Sequence, residues 1–302
     1  MDKVLVTGAS GFLGRQAVPL LADSGYEVHA LCYPEPVEFG GSAQVYPHVC
    51  DLLNGDEVSA LVTEVKPTHL LHFAWYTEHG KYWASIENLK WVKASIDLAM
   101  VFVDEGGRRL VAAGTCAEYD WECDYLSEGS TPLLPATLYG VCKNGLREIL
   151  AGFAKETGIS TAWGRIFFPY GPNERRERLV PDVIISLLED RPALCTHGDQ
   201  VRDFIYVEDA ASAFAGLLSS DVEGPVNIAS GEPVALKTII QTIADVLGKS
   251  NLVKLGAIPA REGEAPLVVA DVRRVKEEVG WEPRFTIQSG LESAIEWWRE
   301  NL

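Results

Sequence analysis

Between Val4 and Gly14 the chain reads Val-Leu-Val-Thr-Gly-Ala-Ser-Gly-Phe-Leu-Gly, a short buried strand entering a helix through glycines at 8, 11 and 14. Glycine at this spacing allows a tight turn, leaves the backbone bare enough for a pyrophosphate to approach, and lets helix and strand pack closely. The unpaired N–H groups at the helix start then face the phosphates. Such spacing alone is a weak signal. Placed after the first strand of a strand–helix–strand rhythm, it points to a dinucleotide cradle made by Gly8, Gly11, Phe12, Leu13 and Gly14.

That rhythm runs on. Helical periodicity from Phe12 to Ser24 turns Leu13, Val18, Leu20 and Leu21 inward and stops at Gly25, before a second strand from Glu27 to Cys32. Further strands are expected at 45–49, 69–73, 109–113, 160–166 and 203–207, with helices near 54–65, 86–105, 136–157 and 208–218. Alternation of this kind closes a parallel sheet. The expected fold class is α/β, a Rossmann-type doubly wound parallel sheet with a smaller α/β C-terminal substrate domain. Beyond residue 164, Pro169, Pro172, Pro181 and Pro192 punctuate short elements, with helices near 179–190, 236–247, 271–279 and 287–300. The boundary is therefore set at 1–164 and 165–302, with 203–218 returning to the first domain.

The 302 residues carry 26 Lys and Arg against 43 Asp and Glu, a net charge of −17 that argues against nucleic acid as a partner. At 47% apolar the chain is neither disordered nor a minimal scaffold. Its cysteines at 32, 50, 116, 123, 142 and 195 form no CxxC pair and have no tight His spacing. They read as free thiols of a reducing cytosol, with no metal site. No apolar run reaches the roughly 18 residues that a membrane span requires. The first strand begins at Lys3, so a cytoplasmic protein without a membrane partner is expected.

In a dinucleotide-binding sheet, an acid at the end of the second strand binds the ribose 2′-OH of NAD, and an arginine there accepts the 2′-phosphate of NADP. Here stand Cys32 and Tyr33. No carboxylate repels a 2′-phosphate, and Arg15 either lends it positive charge or is a solvated helix residue, so NADP(H) is favoured and NAD(H) stays open. After the third strand, Asp51 is placed either to accept from an adenine amine beside Leu52 or to cap the helix starting near Asn54.

Tyr139-Gly140-Val141-Cys142-Lys143 puts a phenol and an ammonium at i and i+4, on one helix face. Lys143 is then expected to lower the phenol below its usual value of about 10, making a proton relay. With these residues the chain resembles the extended short-chain dehydrogenase/reductase family, the NAD-dependent epimerase/dehydratase group that acts on nucleotide sugars. The glycine turn, Asp51-Leu52, His72-Phe73-Ala74, Asn88, Tyr139 and Lys143, Tyr170-Gly171-Pro172, Arg202-Asp203-Phe204 and Arg261-Glu262-Gly263-Glu264 follow that family's order. The resemblance adds Phe73 and Ala74 to the cofactor site. It implies Tyr139 as general acid/base at the sugar C4 oxygen, Lys143 as its activator and ribose anchor, Thr115 as the hydroxyl on the sugar oxygen, and nicotinamide as hydride partner.

The resemblance also narrows the reaction. A 4,6-dehydratase of the family carries Asp and Glu directly after the threonine, whereas here Cys116 and Ala117 follow and Glu118 comes one place late. A 3,5-epimerase/reductase carries Cys at the place of Ala117. What remains is one-way reduction of a 4-keto sugar by NADPH, or 4-epimerisation with a retained NAD. The stretch Cys195–Ile205 with Arg261–Glu264 is most similar to abequose- and paratose-synthase-like enzymes, reductases of nucleotide-linked 4-keto-6-deoxyhexoses. A non-catalytic dinucleotide sensor is a further alternative, against which the Thr115, Tyr139 and Lys143 set speaks.

For the nucleotide-diphosphate sugar the resemblance implies Arg202 and Arg261 at the diphosphate, with Glu264 beside them, and Phe168 where the family usually has Asn. Arg178 and Leu179 fall in the same pocket. Arg175, Arg176 and Arg178 form either a clamp or a solvated loop. Trp75, Tyr76, His79, Tyr82 and Trp83 either wall the sugar pocket or plug the domain interface. His72 reads as a core histidine and His197 as a surface one. The resemblance implies a homodimer through the helices near 86–105 and 136–157, whose faces include Ile86, Leu89, Ile96 and Met100.

Overall fold

Val4, Leu5 and Val6 are wholly buried, as a central parallel strand covered on both faces requires. They form β1 (Lys3–Thr7) in the computed structural model, which describes residues 1–40, 44–260 and 263–302. The chain continues through α1 (Gly14–Asp23), β2 (Glu27–Cys32), β3 (Val45–Val49), α2 (Gly55–Val65), β4 (His69–His72), α3 (Glu87–Asp104) and β5 (Arg109–Thr115). A 3-10 turn, Cys116–Glu118, leads to β6 (Tyr125–Leu126), α4 (Leu138–Thr157), β7 (Ser160–Ile166), β8 (Phe168–Tyr170), α5 (Leu179–Leu188) and β9 (Ala193–Leu194). Then follow β10 (Val201–Tyr206), α6 (Val207–Ser219), β11 (Gly224–Ile228), β12 (Pro233–Ala235), α7 (Leu236–Leu247), β13 (Val253–Lys254), β14 (Leu267–Ala270), α8 (Arg273–Glu277) and α9 (Ile287–Asn301).

Among the described residues the larger sheet has seven strands, in the order β11-β7-β5-β4-β1-β2-β3. Every pairing in it is parallel. Alternation along each strand divides the core. Val4, Val6, Val28, Ala30 and Val111 pack under α1 and α6, while Leu5, Leu31, Leu70 and Leu110 pack under α2, α3 and α4. The result is the Rossmann-type, doubly wound α/β fold that the rhythm predicts. Strand order reverses between β1 and β4, so the carboxyl ends of those two strands frame the crevice where such sheets take ligands.

Over the C-terminal part, α5, α7 and α9 enclose a separate core around Ile184, Ile239, Ile243, Leu291 and Trp298. A second sheet runs β12-β10-β14-β6, with β8 beside β10. The expected return of 203–218 to the first domain needs correction in its strand half. β10 belongs to this second sheet, whereas α6 packs on α1 and lays Ala210, Ala211, Ala213 and Phe214 into the first core. The strand that does return is β11, at the edge beside β7. Only the second half of β10, Phe204-Ile205-Tyr206, is apolar, and nothing local specifies its neighbour. β11 begins Gly-Pro, which reads as a turn, yet an edge strand tolerates proline.

α1 starts at Gly14, two residues later than its periodicity suggests, because Phe12 and Leu13 stay in the glycine turn. On α3 and just before it, Ile86, Leu89 and Met100 are exposed, whereas Ile96 packs against the core. The six cysteines are free thiols.

Candidate active site

The glycine turn leaves β1 with Gly8 at φ +66°, and a Cβ there would stand 2.8 Å from the Ala74 nitrogen at the end of β4. One on Gly14 would lie 2.2 Å from the Gly8 oxygen. Only bare backbone fits at both places, so the cradle is a consequence of the glycines. Behind it the Thr7 hydroxyl meets His72 Nδ1 at 2.6 Å, and His72 Nε2 meets the Ser95 hydroxyl at 2.8 Å. Burial pushes His72 down to about 3, so it is a neutral brace between the two strand ends.

Gly8, Gly11, Phe12, Leu13, Gly14, Phe73 and Ala74 line one end of a cavity of about 750 Å³. The start of α1 adds its unpaired N–H groups there, and the residues fit a dinucleotide pyrophosphate. Of the other expected cofactor residues, Tyr139 and Lys143 line the same cavity, whereas Arg15, Cys32, Tyr33, Asp51 and Leu52 lie off it. Cys32 is buried at the end of β2 with its thiol toward the Ala30 carbonyl, and Tyr33 is exposed. Arg15 donates Nε to the Ser10 carbonyl at 2.9 Å, and the Ser10 hydroxyl donates to the Tyr33 carbonyl at 3.4 Å, so the arginine is tied to the end of β2. Asp51 accepts from the Leu53 N–H at 2.9 Å; the side chain capping α2 is that of Asn54, and Leu52 is core.

Thr115 ends β5, and its hydroxyl accepts from the Ala117 N–H at 3.2 Å, so it caps the 3-10 turn and faces the cavity as well. Tyr139 enters on the first turn of α4, which Thr137 caps through the Gly140 N–H. Tyr82 and Trp83 meet the Tyr139 ring edge-on at 5.0 and 5.7 Å, and the Trp83 carbonyl accepts from the Tyr139 N–H. The aromatic loop is therefore the wall that orients the phenol.

Lys143, one turn on, donates from Nζ to the Ala113 carbonyl at 2.8 Å. Burial pushes its ammonium down to about 7, opposed by the Glu118 charge. The expected lowering of the phenol is reversed. Burial and the neighbouring Tyr82 raise Tyr139, and the Thr115 hydroxyl opposes them as a hydrogen-bond partner. Desolvation outweighs the i,i+4 placement. Tyr139 is thus a neutral phenol at physiological pH, a proton donor.

Glu118 is wholly buried and accepts from Arg165 Nε at 2.7 Å, Trp163 Nε1 at 2.9 Å and the Thr115 N–H at 2.9 Å. Its carboxylate is committed to the protein and lies off the cavity lining. Cys116 lines the cavity, but burial pushes its thiol up to about 12, so it is protonated.

At the far end of the cavity stand Phe168, Glu174, Arg175, Arg178, Arg202, Gly263 and Glu264. Arg202 reaches Glu264 at 3.1 Å, Gln200 holds the other Glu264 oxygen at 2.8 Å, and the guanidinium lies 5.6 Å from the Phe168 ring centre. Arg178 and Arg175 face the cavity, while Arg176 lies over Trp298. Leu179 opens α5 and packs into the C-terminal core. Arg261 lies outside the described residues.

Glu174, which no sequence pattern singles out, is 8% exposed and has one buried carboxyl oxygen without a partner. Burial pushes it up to about 8, against Arg178 at 3.7 Å. Asn173 before it is left-handed, with φ +65°. A Tyr-Gly-Pro-Asn turn was the available signal, and it marks the bend without saying what the bend delivers.

Trp75 lines the cavity too, with Nε1 donated to Asn88 Oδ1 at 2.8 Å. His72 is the core histidine expected, and His197 is half-exposed beside Asp199.

CDP-abequose synthase of Salmonella typhimurium is 26% identical to this chain, over 97% of both sequences. UDP-glucuronate 4-epimerase of Thermodesulfobacterium geofontis is 24% identical over 100% of this chain and 98% of its own. Among solved structures, MoeE5 in complex with UDP-glucuronic acid and NAD aligns with a TM-score of 0.86 at 27% identity, covering 100% of both chains. The family model for the NAD dependent epimerase/dehydratase family matches residues 4–229. A match of that span, over a sheet whose switch point carries the glycine cradle, establishes that the chain belongs to the NAD dependent epimerase/dehydratase family.

Proposed function

We propose that this nucleotide-sugar-modifying enzyme reduces the C4 ketone of a nucleotide-linked 4-keto-6-deoxy sugar with NADPH. One observation carries the reading: a single cavity joins the glycine cradle to a protonated Tyr139, while the positions after Thr115 offer Cys116, Ala117 and a Glu118 locked to Arg165. Directly after Thr115, no carboxylate is free for chemistry at C5 and C6. Similarity to CDP-abequose synthase supports the same reading.

When bound, the dinucleotide supplies hydride to C4. Tyr139 gives its phenolic proton to the oxygen that becomes the alkoxide, and Thr115 holds that oxygen by hydrogen bond. Lys143 stabilises the phenolate left behind. Arg202 and Arg178 meet the diphosphate through charge-assisted bonds. NADPH rather than NADH is favoured because β2 ends on Cys32 and Tyr33, not on a carboxylate, with Arg15 nearby.

Four-epimerisation with a tightly held NAD is the second reading, favoured by the likeness to UDP-glucuronate 4-epimerase and to MoeE5, which is in complex with NAD. Incubation with NADPH or NADH and a panel of nucleotide-linked 4-keto-6-deoxyhexoses separates the readings. Net loss of NADPH absorbance is expected. Sugar interconversion without it would establish the epimerase, inertness toward every sugar a dinucleotide sensor, and faster use of NADH would remove the cofactor preference.

The exposed Ile86, Leu89 and Met100, with Val141 and Ile149 of α4, support a homodimer across α3 and α4. Sedimentation velocity is expected to show a dimer at micromolar concentration, and a monomer there would refute it.

A further inference from the structure

Lys143 Nζ lies 3.8 Å from the centre of the Trp75 ring, with the Trp163 ring at 6.0 Å. One of its N–H groups is bonded to the Ala113 carbonyl. Trp75 is 8% exposed, and its indole N–H is spent on Asn88. Asn88 is wholly buried and donates its amide to the Tyr82 and Ser85 carbonyls at 2.7 and 2.8 Å. One asparagine thus ties the surface under the ammonium to the loop whose Tyr82 and Trp83 grip the phenol.

We propose that Trp75 is a positioning residue for Lys143, an indole face pinned by Asn88 that holds the ammonium charged and aimed into the cavity. The attraction is that of a cation for the negative face of an aromatic ring, strengthened where water is excluded. The other groups acting on Lys143 are Glu118, which favours the charged form, and His72, which is neutral. The Tyr139 phenol, raised by burial, is neutral as well. Glu118 is itself paired with Arg165, so the groups that touch Nζ directly are the Ala113 carbonyl and the indole, and of these the indole is the side chain. Trp75 is thereby moved from the sugar wall, one of its two expected places, to the proton-handling pair. The inference rests on the reading of Tyr139 and Lys143 as that pair.

The test reads Lys143 itself, in the full chain without ligand. In protein carrying 13C-labelled lysine, the Lys143 Cε signal is assigned by its loss in Lys143→Met and titrated with pH in wild type, Trp75→Phe and Trp75→Leu. Removing the ring destabilises the cation, so the midpoint in Trp75→Leu is expected to fall by about one pH unit, with Trp75→Phe in between. A midpoint that stays or rises overturns the proposal, and if Trp75→Leu fails to fold, Trp75→Phe decides by the same criterion. The titration needs no substrate. Failure of every sugar in the panel sinks the proposed reaction and leaves this result standing, whereas an unmoved midpoint removes Trp75 whatever the panel shows.

Discussion

Tyr139→Phe is expected to lower kcat about 10²–10⁴-fold, the range that a positioned general acid contributes, while the Kd for NADPH stays within about twofold. The reason lies in what the substitution keeps. Phenylalanine retains the ring that Tyr82 and Trp83 meet edge-on, and the backbone bond to Trp83 is untouched. What is lost is the hydroxyl with its bond to Thr115, and with it the proton that neutralises the forming alkoxide. A fall in kcat with KM little changed marks an interaction made in the transition state. Steady-state rates with the best sugar of the panel, beside a fluorescence titration of NADPH, give both quantities, and unchanged turnover would remove Tyr139 from the mechanism.

Glu118→Ala is expected to cost about 3–5 kcal/mol of stability, the range for breaking a buried ion pair by removing one partner. The Arg165 guanidinium is 1% exposed and would stay charged in the core without its carboxylate. Trp163 Nε1 and the Thr115 N–H would lose their acceptor as well. Urea unfolding measures the loss. Glu118→Leu combined with Arg165→Met, which removes both charges, is expected to recover most of it, since a buried pair contributes little net stability against apolar residues of similar size. A loss below about 1 kcal/mol in the single variant would show that the pair is not closed to water in solution. The same substitution frees the Thr115 backbone, so a fall in turnover should accompany the fall in stability.

These two results bear on one question, how a family that shares its first step divides by outcome. The carboxyl group that comes nearest in sequence to a catalytic acid, Glu118, is buried against Arg165 and Trp163 of β7, where it accepts from the Thr115 N–H. With Cys116, Ala117 and a Glu118 held by Arg165 in the three places after Thr115, the reaction we propose is confined to hydride and proton at a single carbon.

The glycine turn, the parallel sheet and the Tyr139–Lys143 pair were legible in the residues because each depends on neighbours a few places apart. The i,i+4 spacing puts phenol and ammonium on one face in any helix, and Val4, Leu5 and Val6 make a buried strand in any covered sheet. The sign of the Tyr139 shift was not legible, because it depends on how deeply the site is buried, and the i,i+4 spacing does not report burial. By sequence Glu118 comes one place late for a catalytic acid, and only the contact with Arg165, 47 positions away, shows what it does instead.

Local spacing and turn chemistry therefore determined that this chain builds a dinucleotide cradle beside a phenol and an ammonium. Which sheet β10 joins, that Glu118 is structural, that Trp75 faces Lys143 and that Glu174 reaches the cavity were decided only in the tertiary structure. Those contacts join residues far apart in the chain, and burial and pairing energies arise only once the elements carrying them have packed.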